Sequence, residues 1–139
     1  MGKAVSVILA TDGSPAALAA ARWLNRFATP DWTHITLLTV MTINSADAVE
    51  DALDEARRRA EQALERTEQV ITCCPPINTV SVIGTPARAI IDYAVHHQAD
   101  LIVLGRRGHS PLGNLLGSVS FAVIQHSPIP VTVVGSHDK

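Results

Sequence analysis

With 139 residues, 47% of them hydrophobic and 17% charged, the chain has the composition of one globular domain with its own core, which excludes a disordered polypeptide. A net charge of −2, with no face on which lysine and arginine concentrate, argues against nucleic acid as a partner. No apolar run approaches the roughly 20 residues that span a bilayer, so no membrane segment is expected.

The opening residues MGKAVSVILATDG hold an apolar run too short for a secretory signal peptide, and a cytoplasmic location is expected. Within them, 4–10 (AVSVILA) reads as a first strand. Ser14 then stands where an N-cap belongs and Pro15 where a first helical turn tolerates proline, opening a helix over SPAALAAARWLNRFA. Residues 34–40 (HITLLTV) read as the second strand, and 46–71 as the longest helix. On that helix Val49, Leu53, Ala56, Ala60, Ala63, Leu64 and Val70 fall on one stripe. Its Arg57-Arg58-Arg59 run is interleaved with Glu50, Asp54, Glu55, Glu61 and Glu65, which makes a solvated, salt-bridged face rather than a basic patch. Cys73 and Cys74 are adjacent and too few for a structural zinc site, so they read as incidental residues at a helix end. A third strand follows at 77–83, then a helix over 85–98 with Thr85 as cap and Pro86 at its first position. His96 and His97 close that helix, where they suit the dipole better than a metal. A fourth strand at 100–105, a last helix at 117–127 stopped by Pro128, and a closing strand at 130–134 complete the chain.

Strands and helices alternating over short connections predict a three-layer α/β sandwich around a five-stranded parallel sheet, as a single domain over 1–139. Ligands in such sheets settle beyond the carboxyl ends of the strands, where strand order reverses. With the first and fourth strands flanking that point, two loops meet: ATDGS (10–14) and GRRGHSPLGNLLGS (105–118). Four of the chain's 8 glycines lie in the 13 positions from Gly105 to Gly117. Gly105 and Gly108 are expected to turn with positive φ and approach a ligand closely. Gly117-Ser118 opens a helix whose free amides suit an anion, with Ser118 as its cap or as a hydroxyl donor to phosphate. Asp12 is expected to accept from a ribose hydroxyl or a base edge, while Ala10 and Thr11 offer main-chain groups. The alternative is a glycine-rich turn needed only for tight packing. The segment is neither a Walker A sequence, lacking Gly-Lys-Ser/Thr, nor a dinucleotide fingerprint, which follows the first strand.

Taken together, VILATDGSPAALAAARWL, VIGTPARAIIDYA, DLIVLGRRG, GSVS and SPIPVTVV resemble the universal stress protein family nearly end to end. The resemblance implies strand order 3-2-1-4-5 and ATP held by the glycine motif, with Ala10, Thr11 and Asp12 at the adenosine and Val40 lining the base pocket. Leu104, Gly105, Gly108, Gly117, Ser118 and Val119 would surround ribose and phosphates, and Arg107 offers a fork of donors to phosphate. Between Gly108 and Gly117 stand eight residues, one fewer than in the family motif. Any Mg²⁺ is expected to be held mainly by the phosphates, with no protein metal site. With no base evidently aimed at a γ-phosphate, no catalytic residue is expected, and the chain reads as a regulatory binding module rather than an enzyme. The family dimerises through its closing strand, so a homodimer through Pro130 to Val134 is expected, with an unidentified protein partner. Two other readings stay open: a nucleotide-free homodimer acting through protein contacts, and a slow ATPase.

Overall fold

The computed structural model describes residues 4–43, 49–73, 76–106 and 117–135. In chain order these form β1 (Val5–Ala10), α1 (Pro15–Phe27), β2 (Thr33–Met41), α2 (Val49–Val70), β3 (Asn78–Ile83), α3 (Pro86–His96), β4 (Leu101–Gly105), α4 (Ser118–His126) and β5 (Val131–Val134). The five strands make one parallel sheet in the order β3-β2-β1-β4-β5, as the sequence and the resemblance led us to expect.

Side chains on a strand alternate between faces, and here each face has its own core. On one side Val7, Leu9, Ile35, Leu37 and Val103 pack against Ala20, Ala21 and Leu24 of α1 and Ile71 beyond α2. On the other, Ile8, Ala10, Leu38, Ile102 and Leu104 meet Ile90 and Ala94 of α3 and Val123 of α4. Burial on both faces explains why β1 and β4 read as nearly unbroken apolar runs. None of the helices is long and apolar enough to cross a membrane, among the described residues.

Local chemistry fixes the helix ends. Ser14 caps α1 as expected, its hydroxyl accepting the Ala17 amide at 3.3 Å. Asn25 of α1 ties down the far end of α2, donating to the Val70 carbonyl and accepting the Thr72 amide, each at 2.9 Å. On the outer face of α2, Arg58 and Arg59 both pair with Glu55, at 2.9 and 3.5 Å, which makes the arginine run a solvated salt-bridged surface. Cys73 packs at the edge of the first core, whereas Cys74 lies outside the described residues. Thr85 occupies the N-cap of α3 but its side chain makes no capping bond, which corrects the expectation drawn from its sequence position.

Candidate ligand site at the carboxyl ends of the strands

The sheet parts at its centre. Pairing of β1 with β4 runs from Val7↔Leu101 to Leu9↔Val103 and stops there. On the outer sides pairing continues, β1 with β2 to Ala10↔Leu38 and β4 with β5 to Gly105↔Val134. Beyond the gap lies a cavity of about 360 Å³, walled by the strand ends, the β1–α1 turn and the first turns of α3 and α4. That size is in the range of small-molecule sites. Nine of the eleven residues singled out from sequence line it: Ala10, Thr11, Asp12, Val40, Leu104, Gly105, Gly117, Ser118 and Val119. The other two, Arg107 and Gly108, lie outside the described residues.

The β1–α1 turn is held by its own polar groups. Gly13 sits at φ +78°, a left-handed conformation that glycine adopts without strain. Thr11 Oγ1 accepts the Gly13 amide at 3.0 Å, and Asp12 Oδ1 accepts the Ser14 amide at 2.9 Å. The Thr11 amide donates to the Leu38 carbonyl at 2.9 Å. That donor is therefore spent inside the protein, and the expectation that Thr11 offers main-chain groups narrows to its carbonyl. The Thr11 hydroxyl is also buried, lying 2.7 Å from that of Thr67 on α2.

The start of α4 is built differently. Gly117 is its N-cap, and Ser118 is the first helical residue rather than the cap. The Gly117 amide donates to the Arg106 carbonyl at 2.9 Å, and the Arg106 amide to the Val134 carbonyl at 2.9 Å. Residues 106 and 117 are thus pinned together where β4 meets β5. Among the described residues no side chain caps this helix, and the amides of Ser118, Val119 and Ser120 have no partner within it. All three residues line the cavity, so the positive end of the α4 dipole is directed at it.

Gly105 corrects the sequence reading. Its φ is not positive. What it lacks is room: a Cβ there would lie 2.5 Å from the Ala16 carbonyl oxygen and 2.6 Å from its carbon. Glycine at 105 therefore lets the first turn of α1 press onto the end of β4. Here packing, the alternative reading, accounts for the residue.

Sequence reasoning missed several walls. Ser120, buried, donates from Oγ to the Gly105 carbonyl at 2.7 Å and so ties the first turn of α4 to β4. Pro86 and Ile90 of α3 and Leu38 of β2 also line the cavity, along with Ser14, Ala17 and Thr42. The four-residue spacing of Pro86 and Ile90 on a helix that starts just past a strand end was the available signal. Among the described lining residues Asp12 alone is ionisable, so a ligand meets one acidic group at the β1–α1 turn and a set of amides at α4.

A family model described as the universal stress protein family matches residues 6–135. A universal stress protein of Thermus aquaticus is 33% identical over 138 residues, covering 93% of this chain and 97% of the relative. A solved universal stress protein from Lactobacillus plantarum superposes with a TM-score of 0.82 at 28% identity, covering 96% of this chain and 99% of that one. Two further structures share the fold: a universal stress protein in complex with cAMP (TM-score 0.69, 24% identity, 96% and 98% covered) and an Arabidopsis thaliana family protein with AMP bound (0.68, 20%, 96% and 92%). On the family match and this identity over most of its length, the chain belongs to the universal stress protein family.

Proposed function

We propose that this chain binds an adenine nucleotide in the central cavity, and that it does so as a regulatory module rather than as an enzyme. One observation carries the reading: the uncapped start of α4 and the Asp12 turn face the same cavity, whose remaining wall is largely apolar. Charge sets the orientation. Phosphate is favoured at the α4 amides and disfavoured near Asp12, so the ribose and base lie toward Asp12, Val40, Leu38 and Ile90. The Asp12 carboxylate then accepts from a ribose hydroxyl or a base edge. Relatives of the same fold bind AMP and cAMP, which supports the class of ligand.

We take ATP as the physiological ligand, with Mg²⁺ held mainly by its phosphates. The basis is the sequence of the glycine segment, where Arg107 precedes Gly108 and offers donors for additional phosphates. The protein would work in the cytoplasm as a homodimer, with occupancy read by a protein partner. The dimer is supported by β5, which among the described strands pairs with β4 alone, and by Phe121 and Ile124 of α4, 57% and 47% exposed.

Titration calorimetry with ATP and Mg²⁺ tests the reading, with AMP and cAMP in parallel. Saturable binding at or below millimolar ATP is expected, and its absence with all three nucleotides would leave a nucleotide-free homodimer as the better account. Phosphate release above background that Asp12→Ala abolishes would make the protein a slow ATPase.

A further inference from the structure

Thr67 lies on α2, outside the cavity, and is wholly buried. Its hydroxyl carries one proton, and the Ala63 carbonyl, one turn earlier on the same helix, accepts it at 2.7 Å. The 2.7 Å contact between the Thr67 and Thr11 hydroxyls is therefore donated by Thr11. Thr11 Oγ1 in turn accepts the Gly13 amide at 3.0 Å. The three bonds run in one direction, from Gly13 to Thr11 to Thr67 to the backbone of α2. Ala63 also supports the turn sterically, since a Cβ on Gly13 would stand 3.0 Å from Ala63 Cα. The turn that carries Asp12 thus rests on one stretch of α2, from Ala63 to Thr67, in two ways, by a hydroxyl relay and by backbone contact.

We propose that Thr67 is a positioning residue for the ligand site, holding the Thr11–Gly13 turn so that Asp12 faces the cavity. The inference rests on the nucleotide reading above and adds to it a residue that need not touch the ligand. Thr11 is buried, so its hydroxyl needs an acceptor, and Thr67 supplies it. Valine at this position keeps the shape but accepts nothing, and the Thr11 hydroxyl then has to turn toward the cavity or drag the turn with it. Serine keeps the hydroxyl and the relay.

The test uses the full chain with Thr67→Val and Thr67→Ser. Two quantities are read: hydrogen exchange of the Gly13 amide without ligand, and AMP affinity by calorimetry. Thr67→Val is expected to speed Gly13 exchange and to weaken AMP about tenfold, the effect of one buried hydroxyl losing its acceptor. The amides of Leu9 and Leu37 in the core strands keep their protection, which separates a loosened turn from a loosened fold. Thr67→Ser is expected to match the unsubstituted chain in both. Unchanged Gly13 exchange in Thr67→Val, equal AMP affinity in that variant, or failure of Thr67→Ser to retain binding would each overturn the relay. If the unsubstituted chain takes up no nucleotide, the binding reading falls instead, and Gly13 exchange still decides the relay.

Discussion

α1 and α4 both begin at the central cavity, but their first turns are finished in opposite ways. At α1 the protein satisfies itself: Ser14 caps the helix, Asp12 accepts the Ser14 amide, and the Thr11 hydroxyl accepts that of Gly13. At α4 a glycine occupies the cap position, no side chain among the described residues closes the turn, and the amides of Ser118, Val119 and Ser120 face the cavity. The first arrangement contributes to folding whether or not a ligand is present. The second leaves polar groups for an anion to satisfy, and binding energy is available only where the fold has not already used the donors. Ser120 shows how little the fold takes at α4, since its hydroxyl goes to the Gly105 carbonyl rather than to the helix.

Substitutions on the two sides should separate fold from binding. The largest effect is expected at Gly105→Ala, whose Cβ meets backbone atoms of Ala16 at 2.5 and 2.6 Å. Neither α1 nor β4 can yield cheaply there, and a loss of about 2–3 kcal/mol in urea unfolding is expected. A loss under about 0.5 kcal/mol would show that α1 retreats freely and that its close seating on β4 is not part of the design. Next comes Ser14→Ala, expected to cost about 1 kcal/mol by the same measurement, as for other N-caps. An unchanged midpoint would mean that the α1 start is not closed by its cap, and the contrast with α4 would lose its basis.

Much of this contrast was legible in the residues. The five strands emerge within about one residue of their expected bounds because each is a short run rich in β-branched residues set between turn or helix signals, and β1 and β4 are in addition buried on both faces. Ser14-Pro15 marked the start of α1 because its cap is local, made three residues away. Other features depended on contacts that sequence does not display. Gly105 was read as a source of backbone freedom, yet what decides it is the carbonyl of Ala16, brought there by the crossover of α1. Thr67 looked like one more polar residue on a long helix until folding placed its hydroxyl 2.7 Å from that of Thr11, 56 positions away. Pro86 and Ile90 became cavity walls because α3 starts at the same end of the sheet. Motifs reported the ends of elements, and packing decided what those ends were for.

The smallest effect on the fold and the largest on binding should fall on one residue, Gly117. It adopts φ −67° and ψ 157°, extended backbone that valine also adopts, so Gly117→Val is expected to cost only the poorer N-cap, about 1 kcal/mol or less. The same change sets an isopropyl group on the cavity wall beside the open amides. Calorimetric titration of the two proteins with ATP and Mg²⁺, unfolding midpoints recorded alongside, is the most direct test of whether the start of α4 is the anion site. Saturable binding by the unsubstituted chain, weakened about tenfold or more in a Gly117→Val protein that remains folded, is the expected result. Equal affinity in the two proteins would contradict it.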